Sequence, residues 1–178
     1  NGDIGYEGNQ EPHNMMGNNH GGMVKANGQW YIFYHRQTHG TESSRQGCAE
    51  KITIQEDGSI KQVEMTSCGL NKGGLSDKGT YPAAIACNLM GKDSIGKITY
   101  GASLKDTQPY IFEENNDLHY IANIGDGVVV GYKYFAVEKL SKVVLCLRGD
   151  AEGEIKVSAD LAGKSELGSS RFKLQGKE

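Results

Sequence analysis

Chemistry in this chain would begin at His20, a lone histidine among small residues in the run Gly17-Asn18-Asn19-His20-Gly21-Gly22. An imidazole can take a metal ion; for an isolated histidine on a strand the plainer reading is one satisfied inside a core. Two arginines follow it. Arg45 comes after a polar loop and Arg36 ends a run of aromatic residues beside His35. A guanidinium presents a rigid fork of donors, suited to a carboxylate or to paired hydroxyls. For Arg45 the competing reading is a surface pair with Glu42 or Glu50, worth little. Cysteine chemistry is unpromising. Cys48, Cys68, Cys87 and Cys146 are spread out, with no CxxC and no His/Cys cluster at zinc-ligand spacing.

The elements that must position these residues are strands. With 25 glycines and 3 prolines in 178 residues, and alternating segments bounded by Gly, Asn and Asp, the chain reads as all-β. Asn27-Gly28 is a strong hairpin signal, because both central residues of a type I′ turn need positive φ. Strands are expected at 22–26, 29–36, 48–55 and 60–66, a four-stranded antiparallel meander that turns at Asn27-Gly28 and Asp57-Gly58. That is about the length of one propeller blade, roughly 40 to 45 residues. Residues 29–36 carry Trp30, Ile32 and Tyr34 on one face and Tyr31, Phe33 and His35 on the other, so the unit expects a layer on each side. If the second hairpin has a two-residue loop, Ser67 falls opposite Cys48. A Cys48–Cys68 disulfide then requires a bulge, and four half-buried thiols are the simpler expectation.

Residues 69–80 are Gly-rich, polar and aperiodic, which is linker chemistry. A domain boundary is placed there, giving domains 1–72 and 73–178. Strands in the second are expected at 83–89, 98–102, 118–124, 128–135, 142–148 and 154–161, a spacing that suits a β-sandwich. The net charge of -3 with scattered basic residues argues against nucleic acid or an anionic membrane as partner. No segment reads as a transmembrane helix or a signal peptide.

Three segments in order, Gly17-Asn18-Asn19-His20-Gly21, 29–36 and Ser44-Arg45-Gln46-Gly47-Cys48-Ala49-Glu50, resemble the closing blade of glycoside hydrolase family 43. These are five-bladed β-propellers that include arabinofuranosidases and β-xylosidases. The run 120–135 with Gly153-Glu154-Ile155-Lys156-Val157 is similar to carbohydrate-binding module family 6, a jelly-roll β-sandwich often fused after such propellers. The resemblance implies a partial five-bladed β-propeller, its final blade, followed by a jelly-roll sandwich truncated at its C-terminus. It implies the C-terminal portion of a glycosidase acting on arabinofuranosyl or xylosyl linkages of plant hemicellulose, secreted or periplasmic.

An inverting mechanism of separated carboxylates goes with that family. Its aspartate base, glutamate acid and tuning aspartate lie on earlier blades, so no catalytic residue is assigned here. Asp3, Glu7, Glu11 and Glu42 are not promoted to those roles, and the chain alone is expected to be inactive. By the same resemblance His20 points into the central cavity toward a calcium ion, directly or through water. Arg45 reaches the floor of the active site, with Arg36 as its alternative, and Asn19, next to Asn18, sits at the pocket rim. Trp30, Tyr31, Phe33 and Tyr34 read as packing between blades. Among Tyr110, Tyr120, Tyr132 and Tyr134, Tyr110 beside Pro109 reads as a loop residue able to stack on sugar, whereas Tyr132 and Tyr134 share a face with Val128 and Val130. The expected partners are a plant polysaccharide or oligosaccharide and the missing N-terminal blades. Two alternatives stand beside this reading: a non-catalytic carbohydrate-binding sandwich, and a purely structural module that caps or dimerises a partner.

Overall fold

In the computed structural model, which describes residues 3–10, 20–38, 44–92 and 108–176, the first hairpin forms at the expected turn. Asn27 and Gly28 have φ of 50° and 80°, the left-handed pair that matches the twist of the strands on either side. Strand β1 (Gly21–Ala26) pairs with β2 (Gln29–Gln37) from Ala26↔Gln29 to Gly21↔Tyr34. Strand β3 (Arg45–Ile52) joins the far edge of β2 from Gln37↔Arg45 to Trp30↔Ile52. The order is β1-β2-β3, with β1 exposed along its whole length.

The expected fourth strand is absent, and the hydrogen bonds show why. Asp57-Gly58 does turn the chain: the Gln55 N–H donates to the Ser59 carbonyl at 2.8 Å and Asp57 Oδ1 accepts the Ser59 N–H at 2.9 Å. Pairing then stops at a single bridge, Ile54↔Ile60. Further on, the Met65 N–H donates to Asp3 Oδ1 at 2.7 Å and the Thr66 N–H to Glu50 Oε1 at 2.6 Å. Backbone groups that would have joined a sheet are taken by carboxylates, which bind N–H more strongly than a carbonyl does. The register that would set Cys68 near Cys48 therefore does not arise, and none of the four cysteines is in a disulfide. Cys48 and Cys68 are half-buried, Cys87 is buried and Cys146 is exposed.

Between residues 66 and 137 the strands are short. They are β4 (Leu75–Ser76), β5 (Asn88–Met90), β6 (Tyr110–Glu113), β7 (His119–Ala122), β8 (Val129–Gly131) and β9 (Phe135–Ala136). Strands β4 and β9 pair in parallel, whereas β5 with β8 and β6 with β7 pair antiparallel. The Gly-rich stretch read as a linker thus contributes β4. The expected strand at 83–89 is a 3-10 turn, Ala83–Ile85, followed by β5, and the one at 128–135 divides into β8 and β9. The expected strand at 98–102 lies outside the described residues. Ala84, Ala86, Leu89, Ile111 and Ile121 form the core, with Val130 against it. All of these elements belong to one compact unit, Asn1–Val137.

The second unit, Glu138–Glu178, is built on an antiparallel hairpin of β10 (Ala151–Ser158) and β11 (Glu166–Leu174). One face carries Ile155, Val157, Phe172 and Leu174, all half-buried; the other carries the Glu152–Lys173 ion pair at 3.0 Å. The apolar run at 142–148 forms no strand, and Val143, Val144 and Leu145 are 48%, 68% and 51% exposed. Among the described residues the chain is all-β apart from two 3-10 turns, in small open sheets.

Candidate functional site

The end of the three-stranded sheet opposite the Asn27-Gly28 turn gathers most of the candidate residues. A β-carbon on Gly21 would lie 2.5 Å from the Phe33 carbonyl oxygen, so only glycine lets β1 close on β2 there. Continued by one residue, that register sets His20 across from His35. Their rings stand 5.5 Å apart at 20°. Side chains of paired residues share a face, so His35, Gln37 and Arg45 lie on one side of the sheet, with Arg45 exposed. His20 is exposed as well.

Arg36 faces the other way. It is 5% exposed, and its Nε donates to Gln46 Oε1 at 2.8 Å and its Nη2 to the Ala84 carbonyl at 3.0 Å. Gln46 Nε2 donates to the same carbonyl at 3.1 Å. The fork that could have served a ligand instead ties the sheet to the 3-10 turn at the core, and burial holds the guanidinium below its ordinary pKa. Arg36 is thereby set aside as the substitute for Arg45.

Glu50, the other partner weighed for Arg45, is on the opposite face and buried. It accepts the Thr66 N–H at 2.6 Å, the Thr66 hydroxyl at 2.7 Å and the Tyr34 hydroxyl at 3.3 Å. Burial raises its pKa, and the Thr66 bonds offset only part of that. Asn18, Asn19 and Glu42 lie outside the described residues.

Tyr110 is not on a loop. It opens β6, half-buried, opposite Ala122. The next residue returns to the same corner: the Ile111 N–H donates to the Thr38 carbonyl, and the Thr38 N–H donates to the Ser44 carbonyl, each at 3.0 Å. Thr38, fully buried, so brings the start of β6 beside the start of β3, where Arg45 stands.

The donors at this corner are imidazoles, an amide and a guanidinium. Calcium takes six to eight oxygens, and among the described residues no group of three or more His, Cys, Asp or Glu converges. A calcium shell would have to draw its oxygens from water and from residues other than these.

A second cluster was not anticipated from sequence. Lys133 Nζ donates to Asp3 Oδ2 at 2.9 Å and to Glu64 Oε1 at 2.6 Å, and the Tyr134 hydroxyl donates to Glu64 Oε2. Asp3, Glu64 and Lys133 border a cleft of about 380 Å³ with Tyr6 and Glu7. Burial alone would lower the Lys133 pKa, but its bonds to Glu64 and Asp3 outweigh that and raise it. The bond to Glu64, with burial, pushes Tyr134 up to about 12. Each carboxylate oxygen has a donor, since Met65 occupies Asp3 Oδ1. An arrangement so satisfied fastens chain segments and leaves no oxygen aimed at a reacting group. With Asp3 and Lys133 separated by 130 positions, no local signal joins them.

No family model matches the chain, and no solved structure matches it. A protein from Thermoclostridium stercorarium described as a xylosidase/arabinosidase is 45% identical over 164 residues. The match takes in 89% of this chain and 35% of that relative, so the chain spans about a third of the curated relative's length.

Proposed function

We propose that this chain is part of a glycosidase acting on arabinofuranosyl or xylosyl linkages of plant hemicellulose. The 45% identity over 89% of the chain to a protein described as a xylosidase/arabinosidase carries this reading. Within it, the sheet β1-β2-β3 is the final blade of a five-bladed propeller of the glycoside hydrolase family 43 kind. Residues 73–178 are its appended sandwich, of the carbohydrate-binding module family 6 kind. An extracellular enzyme suits a polymeric plant substrate, and no described helix is long and apolar enough to cross a membrane.

Hydrolysis in this reading inverts the anomeric centre, one carboxylate activating water while another protonates the leaving oxygen. Those carboxylates belong to earlier blades. This chain contributes the floor and rim of the pocket. Arg45 supplies a fork of donors to sugar hydroxyls or to a catalytic carboxylate, and Asn19 borders the entrance. His20 faces the central cavity, where a calcium ion would offset crowded carboxylates and help set their ionisation. The exposure of both His20 and Arg45 at one end of the sheet supports a surface that neighbouring blades complete.

The test is hydrolysis of 4-nitrophenyl α-L-arabinofuranoside and β-D-xyloside. The purified chain is expected to release no nitrophenol, while a longer protein carrying the preceding blades turns over at least one of the two. Replacing Arg45 by Ala in that longer protein should lower kcat/KM by roughly 100-fold, as loss of a charged donor in a transition-state pocket does. Turnover by the chain alone, or indifference to Arg45→Ala, would overturn the reading.

A further inference from the structure

The end of the β2–β3 ladder that carries Arg45 is held by groups from outside the sheet. Arg36 and Gln46 face one another in the register, and both donate to a single carbonyl, that of Ala84, at 3.0 and 3.1 Å. Because Arg36 Nε also donates to Gln46 Oε1 at 2.8 Å, the three groups form a closed triangle. Both lone pairs of the Ala84 oxygen are thereby filled. On the next rung Gln37 pairs with Arg45; beyond it the Thr38 N–H donates to the Ser44 carbonyl and the Thr38 carbonyl accepts the Ile111 N–H. Ala84 and Ile111 belong to one apolar core. Strand ends fray when nothing outside the ladder holds them, but this one is tied at Ser44, just before Arg45, and at Gln46, just after it.

We propose that the core built on Ala84 and Ile111 braces the pocket, with Arg36 and Gln46 as positioning residues that fix the backbone of Arg45 and so set where its guanidinium stands. The proposal rests on the reading of Arg45 as part of a glycosidase pocket. Successive side chains on a strand point to opposite faces, so an anchor at Gln46 directs Arg45 outward without meeting anything that Arg45 binds. A buried guanidinium is a costly way merely to join two surfaces, since apolar side chains would do so without desolvating a charge. Its directed, charge-assisted bonds add fixed geometry. That geometry matters to a donor fork that stabilises a transition state, because such a group acts best when it is in place before the substrate arrives. The part of the chain after residue 72 then does more than follow the blade: its core supports the floor of the site.

The test uses the longer protein and the nitrophenyl glycoside that it turns over. Gln46→Leu keeps bulk but deletes one donor to Ala84 and the acceptor for Arg36; it should lower kcat about tenfold with KM unchanged, as a small displacement of a positioned group does. Combined with Arg45→Ala it should cost nothing beyond Arg45→Ala alone, because a residue that acts through another has no effect once the other is gone. A merely structural role gives losses that multiply. Gln46→Glu, which keeps the acceptor for Arg36 and loses only the donor to Ala84, is the second variant and should show a smaller fall with the same non-additivity. Full activity in both Gln46 variants, or losses that multiply with Arg45→Ala, would defeat the brace. Arg45→Ala by itself keeps the two readings apart. If it is harmless, the pocket reading falls and the brace with it; if it is harmful while both Gln46 variants stay fully active, only the brace falls.

Discussion

At the scale of single residues, buried charge does the fastening that a sheet was expected to do. Asp3 and Glu64 share one ammonium, and the Asp3 side chain is 4% exposed. Removing Lys133 would strand that carboxylate without its cation, a change that costs about 3 kcal/mol in buried pairs. Lys133→Met is therefore expected to lower the urea midpoint strongly, and an unchanged midpoint would refute the tie. The raised Lys133 pKa makes this stabilisation complete below the ordinary lysine value of about 10.4 and lost as pH rises through the folded value. Glu50 works in a different pH window. Its carboxyl is raised by burial, so its contribution is full below the ordinary glutamate value of about 4.3 and declines as pH climbs through the folded value. Glu50→Gln should flatten the dependence of stability on pH above the ordinary glutamate value of about 4.3, read from urea unfolding at several pH values. None of these partners was legible beforehand. A carboxylate in a polar sequence context looks solvated until the chain that buries it is known.

At the scale of elements, turns were legible and strand partners were not. Asn27-Gly28 and Asp57-Gly58 turn the chain as their chemistry requires, since positive φ is a local demand that few residues meet. Gly28 has φ of 80°. Gly28→Ala is expected to cost about 1 kcal/mol, seen calorimetrically as a fall of roughly 3 °C in Tm; a rise would show that the turn is not under that constraint. Alternation in 29–36 identified β2 and its two faces. The same criterion placed a strand at 60–66 and another at 142–148, and neither forms. Both segments have the composition of a strand, but Met65 and Thr66 meet carboxylates first, and the apolar run after Lys142 stays exposed without a partner strand among the described residues. Strand β6, only four residues long, stands where Tyr110 beside Pro109 reads as loop in the sequence; the polar run after it is the hairpin turn, closed by the Glu114 N–H donating to the Leu118 carbonyl at 3.0 Å.

At the scale of the molecule, the two sequence-defined parts are bound together more closely than a linker implies. Arg36 reaches the Ala84 carbonyl, and Lys133 reaches Asp3 and Glu64. All lie within the unit Asn1–Val137. If 1–72 and 73–178 are domains of a propeller and a sandwich, these bonds are their interface. Residues 73–178 produced alone should then unfold at a lower temperature than the whole chain, and an equal Tm would mean that the ties contribute nothing. The sequence by itself determined the all-β character, the tight turns and the segments that carry the resemblance to a glycoside hydrolase, because periodicity, turn chemistry and short motifs are local properties. Only the tertiary structure decided that Arg36 is an internal clamp while Arg45 stands exposed, that Tyr110 opens a strand, and that carboxylates replace a fourth strand. Those outcomes depend on which distant groups compete for the same donors, and that competition is settled only when the chain is folded.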